Sequence, residues 1–305
     1  MKGPQAPWLR SFRVGMNFSS IGDYIKQGGP GLTKGPLAIV LAEDGVELDS
    51  TLRHHIDAGF PSVLLLADPD LAIPDALADK IDRVAYDVFS DTPLIDAVNK
   101  IIAAATPGVW IYYCYNAEYL FHPFCETRSV RELLTFQLEE RRDAILSYVV
   151  DLYAENLTDF PSAVSLDTAH LDKSGYYALG RPNAANQNYP KERQLDFFGG
   201  LRWRLEEYVP PSRRKIDRIA LFRAKPGLEM REDFTFSDEE YNTYACPWHH
   251  NITTSIVSFR TAKALRSNAG SKFGINTFLW HNSVPFQWHS QQLMDLGLME
   301  PGQWF

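Results

Sequence analysis

Residues 36–70 read PLAIVLAEDGVELDSTLRHHIDAGFPSVLLLADPD. The apolar run from Leu37 to Ala42 stops at Glu43-Asp44-Gly45, the pattern of a buried parallel strand running into a loop. Leu48, Leu52, His55 and Ile56 then recur at helical spacing, and Gly59 stands where a helix C-cap belongs. A second apolar run ends in acid again, at Asp68 and Asp70. Further along come a Pro-broken loop, a short strand RVAYDVF, a helix from about Pro93 to Ala105, and the aromatic stretch GVWIYYCYNAEYLFHP at 108–123. Alternating strands and helices predict a parallel sheet with helices on its faces, the α/β class.

Outward from this block the pattern is less regular. Residues 1–35 are rich in Gly and Pro and read as an N-terminal arm or linker, poorly ordered or wrapped over the surface. RSVRELLTFQLEERRDAILSYVVDLY predicts a helix and then a strand, and residues 159–195 are loop-rich. DFFGGLRWRLEEYVPPSRRKIDRIALFRA suggests strands around a basic turn, and TTSIVSFRTAKALR a strand leading into a helix. The main domain is thus expected over 36–270. Residues 271–305 form an aromatic extension packed on it, with a last helix near Ser290 to Leu298.

Composition narrows the function classes. The chain has 305 residues, 45% apolar and 22% charged, which suits a folded globular protein and is too apolar for disorder. A formal charge of −8 leaves no general basic field for a nucleic-acid backbone, so no nucleic-acid partner is expected. Cys114, Cys125 and Cys246 include no CxxC pair, which argues against a disulfide framework or a thiolate zinc site. The start lacks an apolar signal-peptide core, and no window approaches the roughly 18 apolar residues of a membrane span. A cytoplasmic protein without a transmembrane segment is expected, with peripheral attachment to the inner membrane face compatible with it.

Ligands of parallel sheets sit at the carboxyl ends of the strands, and here those ends carry Glu43, Asp44, Asp68, Asp70, Asp87, Asp91, Asn116 and Glu118. Acids and amides also favour loop starts and helix N-termini for structural reasons, which competes with a site reading at each single residue. The common phosphate-loop, dinucleotide, zincin and hydrolase signatures are missing. His249 and His250 could grip one metal ion only from a loop, because adjacent strand residues face opposite ways. Arg202 and Arg204 would share a strand face near Arg213, Arg214 and Lys215, a cluster suited to a diphosphate or else to pairing with Glu206 and Glu207. The aromatic and amide-rich segment 176–189 suits a sugar, or a packed surface loop.

The order of motifs from Pro36 to Arg266 resembles the family 2-like glycosyltransferases of the GT-A fold, in particular a bacterial family 2/92-like group. The resemblance is carried by LAEDGVELDSTLRHHIDAGFPSVLLLAD, then EYLFHP, FFGGLRWRL and SIVSFRTAKAL. It implies a GT-A-like three-layer α/β/α sandwich with a mostly parallel, mixed central sheet. Matching EYLFHP places Tyr115 and Ala117 where the family's two metal-binding aspartates stand, and a one-residue slide makes Asn116 and Glu118 the stand-ins. The DxD motif is degenerate, and Ser258 takes the place of the family's histidine.

By resemblance, the chain binds a nucleotide-sugar and transfers a sugar to a glycan or other cell-envelope acceptor; the alternative is an inactive relative serving as a nucleotide- or glycan-binding or protein-interaction module. Glu43, Asp44 and Asp68 would lie at the nucleoside, Asn116 and Glu118 at the diphosphate, and Arg202 and Arg204 near phosphate or acceptor. A Mn or Mg ion would be rebuilt around Glu118 with His249 or His250, or its role taken by arginines. Glu118, Asp151 and Asp196 are the candidate catalytic carboxylates.

Overall fold

The structure, a computed structural model, describes residues 15–244 and 251–304. Strand β1 (Asn17–Phe18) is followed by helices α1 (Ile21–Lys26) and α2 (Gly31–Lys34), and then the alternation begins. It runs β2 (Leu37–Ala42), α3 (Leu48–Asp57), β3 (Ser62–Ala67), α4 (Asp75–Ala78), β4 (Asp82–Ala85), α5 (Pro93–Ala104) and β5 (Trp110–Tyr115). Next come β6 (Glu118–Phe121), α6 (Val130–Glu139), β7 (Ala144–Asp151), β8 (Tyr153–Ala154), β9 (Ala169–Asp172), β10 (Tyr177–Pro182) and β11 (Pro190–Phe198). The chain closes with α7 (Gly200–Arg204), β12 (Asp217–Arg223), β13 (Thr254–Ser258), α8 (Arg260–Ser267), β14 (Ser283–Pro285) and α9 (Ser290–Asp295).

Nine strands make one sheet in the order β1-β4-β3-β2-β5-β12-β7-β13-β6. The pairings from β1 to β5 are parallel, as is β7 with β13, whereas β12 runs antiparallel to both neighbours and β6 antiparallel to β13. The fold is therefore a three-layer α/β/α sandwich on a mixed, mostly parallel sheet, as expected. Every residue of β2, β3 and β5 is buried, because helices cover both faces of the sheet. Right-handed crossovers explain the two layers: β2 to β3 steps outward through α3, and β4 to β5 returns across the sheet through α5, so the two helices lie on opposite faces.

Local sequence accounts for the elements. α3 buries Leu48, Thr51, Leu52 and His55, and ends where Gly59 takes φ +98, a left-handed conformation open to glycine at little steric cost. α6 opens with a capping box in which Ser129 and Glu132 satisfy each other's backbone N–H groups. From residue 15 the expected arm is part of the body: β1 extends the sheet beside β4, and Tyr24 is completely buried. Among the described residues no helix is long and apolar enough to cross a membrane.

Two smaller sheets complete the structure. β14-β9-β8 ties the C-terminal segment back to the strand that follows β7, and β10-β11 is a hairpin whose first strand is largely exposed. Asp172 locks the former: it accepts from Tyr153 Oη at 2.5 Å, Trp280 Nε1 at 2.7 Å and Arg204 Nε at 2.8 Å.

Candidate functional site

The doubly wound half reverses direction between β2 and β5, and the crevice outside their carboxyl ends is where such sheets bind ligands. A cavity of about 580 Å³ lies there. Glu43 and Asp44 from the end of β2, Tyr115 from the end of β5, Lys215 and Arg218 at the start of β12, and Arg260 after β13 all contribute to its wall. Since β12 runs antiparallel, its amino end lies on the same side as the carboxyl ends of its neighbours.

Asn116 and Glu118 are framework groups beneath this wall. Asn116 Oδ1 accepts from the Glu43 N–H at 3.0 Å, and its amide nitrogen donates to Asp44 Oδ1 at 2.7 Å and Val46 O at 2.9 Å. It laces the loop after β2 to the end of β5. Glu118 is fully buried and takes hydrogen bonds from Arg218 at 2.6 Å, Ser258 Oγ at 3.0 Å and the Tyr115 N–H at 2.9 Å. Burial opposes its ionised form, but the Arg218 guanidinium and these donors hold its carboxyl below the usual range. Ala117 between them adopts φ +58, with its N–H on Thr51 Oγ1.

This arrangement corrects the expectation of Mn or Mg held at Glu118. Among the described residues no group of three His, Cys, Asp or Glu side chains could hold a metal ion. The physical reason at Glu118 is plain, since its oxygens are already committed to Arg218, Ser258 and a backbone donor in a site without exposure. His249 and His250 lie outside the described residues.

Glu43 and Asp44 line the cavity, each neutralised from α8. Arg260 donates to both oxygens of Glu43, at 2.9 and 2.6 Å, while its guanidinium lies 3.7 Å from the centre of the Tyr115 ring. Lys263 donates to Asp44 at 2.8 Å. Asp68 sits in an exposed turn, where it accepts from the Asp70 N–H, and does not reach the wall.

Arg202 and Arg204 do not lie on a strand. They belong to the short helix α7, where a separation of two residues sends side chains apart. Arg202 lines the cavity, anchored by Lys215 O at 2.8 Å and Thr261 Oγ1 at 3.1 Å, with Asp151 behind it at 3.4 Å. Arg204 turns away, onto Asp172 and Phe278 O, and over the ring of Trp280. Asp151 is buried at the end of β7, and burial raises its carboxyl above the usual range against the pull of Arg202. Asp196 on β11 lies outside the large cavity and pairs with Arg181 at 2.8 Å and Lys215 at 3.4 Å.

Six cationic and four acidic side chains line the cavity. Ion pairs cancel Arg260 and Lys263 within it, while Glu118 neutralises Arg218 and Arg181 neutralises Asp217 from outside. Beyond these pairs the wall carries Arg213, exposed at the rim with no side-chain hydrogen-bond or ion-pair partner among the described residues, Arg202 and Lys215, paired at 3.4 Å with Asp151 and Asp196 respectively, and the carboxylate of Asp233. Phe89, 76% exposed, stands at the edge. Sequence reasoning missed Arg218, Arg260, Lys263 and Phe89. The spacing of Arg260 and Lys263, three apart where a helix follows a strand, was a usable signal for one shared face. The chain matches no protein-family model and no curated protein.

Proposed function

We propose that this cavity binds the nucleoside diphosphate part of a nucleotide-sugar, and that the protein is glycosyltransferase-like, acting on a glycan or other cell-envelope acceptor. The observation that carries the reading is the cluster of Arg202, Arg213 and Lys215 at the switch point of the sheet, where Arg213 has no ion-pair partner among the described residues and the other two are paired at 3.4 Å from outside the cavity. Guanidinium groups recognise phosphate oxygens bidentately and stabilise the charge that develops on a departing diphosphate. Phe89 offers an exposed ring on which a base can stack. The overall sandwich is consistent with a GT-A-like shape. In this reading Asp151 is a positioning residue that orients Arg202 from behind, and Asn116 holds Glu43 and Asp44 in place.

A second reading, a binding module without transfer, is favoured by one observation: three of the four carboxylates on the cavity wall, Glu43, Asp44 and Asp217, are held in ion pairs. Calorimetric titration with UDP, GDP and CMP in the presence of a chelator tests the binding shared by both readings. At least one nucleotide is expected to bind, with Arg213→Ala weakening it roughly ten-fold, the loss of about one charge-assisted hydrogen bond. Absence of any nucleotide binding sinks both. Release of nucleoside diphosphate from the matching nucleotide-sugar, alone and with acceptor glycans, then separates enzyme from module.

A further inference from the structure

A second cavity, of about 200 Å³, adjoins the first. Lys215 and Asp233 line both. Its other walls come from the hairpin β10-β11, which supplies Arg181, Lys191, Gln194 and Asp196, and from the segment after β12, which supplies Arg231 and Thr235. This size admits about one sugar ring and excludes a nucleotide.

The lining is built for a specific kind of guest. Four cationic side chains face two carboxylates across it. Lys191 and Arg231 share one carboxylate, that of Glu239, at 2.9 and 3.1 Å, so their two charges are only half compensated. Among the described residues the Lys215 ammonium has one partner, Asp196 at 3.4 Å, and Asp196 already takes Arg181 at 2.8 Å. Gln194 is 5% exposed, and its amide nitrogen donates to Glu239, which fixes the orientation of the amide. Its Oε1 is left buried without a hydrogen-bond partner. An unpaired buried acceptor is costly, and a donor from a guest relieves it. On the shared wall, Asp233 is bonded by Thr235 only through Oδ1. Among the described residues no hydrogen bond reaches its Oδ2, and Asp233 lines both cavities.

We propose that the second cavity is a binding site for a small polyhydroxylated anion, a sugar bearing a phosphate or a carboxylate. Lys191 and Arg231 take the acid group, and Gln194 Oε1 and Asp233 Oδ2 accept from hydroxyls. The role of such a sugar as the acceptor next to a nucleotide-sugar rests on the reading of the larger cavity; its binding does not.

Ligand-observed NMR titration of the full chain with glucose 6-phosphate, glucuronate and glucose tests the site. One or both acids are expected to bind and glucose to bind more weakly, and the tighter acid identifies the group recognised. Gln194→Leu and the surface variant Lys191→Gln should each weaken the acid roughly ten-fold, one hydrogen bond or one charge, without changing the affinity for the nucleotide that fills the larger cavity. The second variant removes a half-buried lysine from the surface, so it keeps the test valid if the first fails to fold. Equal binding of glucose, failure of both acids to bind, acid affinity unchanged in the variants, or displacement of the acid by nucleotide would each overturn the proposal. Nucleotide binding without acid binding rejects this site alone, and acid binding without nucleotide binding rejects only the larger cavity's reading.

Discussion

Glu118 separates a framework role from a chemical one at a single residue. Replacing it with Gln keeps the shape but leaves the Arg218 guanidinium, itself 8% exposed, without its counter-charge. Breaking one partner of a buried pair costs about 3–5 kcal/mol, whereas replacing both partners by apolar groups costs far less. Urea unfolding should therefore show Glu118→Gln destabilised by about 3 kcal/mol or more, and Glu118→Met with Arg218→Met closer to wild type. A single variant within about 1 kcal/mol of wild type would refute the framework role. The sequence marks Asn116 and Glu118 as polar residues at the end of an aromatic strand, which is legible from their neighbours alone. What faces them is not, because the partner of Glu118 lies 100 residues further along the chain. A carboxylate aimed at a cavity and one aimed at a buried guanidinium look alike until that strand is placed.

At the scale of an element, α7 turns on Gly200. Its φ of +62 is strained for any other residue, and a Cβ built there would meet Asp151 Oδ2 at 3.0 Å. Gly200→Ala therefore presses on the carboxylate that backs Arg202, and the expected cost is about 1–3 kcal/mol of stability. Nucleotide affinity should fall along with it, since Arg202 loses its alignment; calorimetry alongside urea unfolding reads both. Unchanged stability and affinity would show that α7 tolerates a side chain at its start and that Asp151 does not set Arg202. Elements up to β5 were legible because β2, α3, β3, α5 and β5 carry clean periods of buried runs or helical faces. GGLRWRL reads as a strand from its alternation of arginines and apolar residues. It folds as a five-residue helix instead, because Gly199 and Gly200 supply a sharp backbone turn that the alternation does not reveal. The small segment 17–18 was illegible for the opposite reason: two residues carry no period, and only the edge of β4 makes them a strand.

For the molecule as a whole, one large core encloses histidines that must stay neutral. His55 is completely buried, with Nδ1 on Thr51 O and its ring against Tyr112 and Phe60. Burial drives its pKa down to about 3, with His54 adding repulsion and Glu118 a weaker opposing pull. His122 has Nδ1 on Pro123 O, and burial takes it to about 4 despite Glu126 and Glu132 nearby. Both values lie below the ordinary 6.5, so between the two the unfolded chain binds more protons than the folded one and stability rises with pH. The contribution is fully present above about pH 6.5 and is lost as pH falls toward the folded values; at about pH 5 each histidine has given up roughly 2 kcal/mol. Glu118, held below its usual range, adds to the loss only at lower pH, whereas Asp151 and Asp217, raised by burial, act in the opposite sense. Variants that cannot titrate isolate the histidine share. The urea midpoint of the wild type should drop clearly between about pH 7.5 and about pH 5, and His122→Asn, whose amide can still donate to Pro123 O, should lose less over the same interval. Parallel pH profiles for the two proteins would mean that His122 does not carry the acid sensitivity and that protonation elsewhere opens the core.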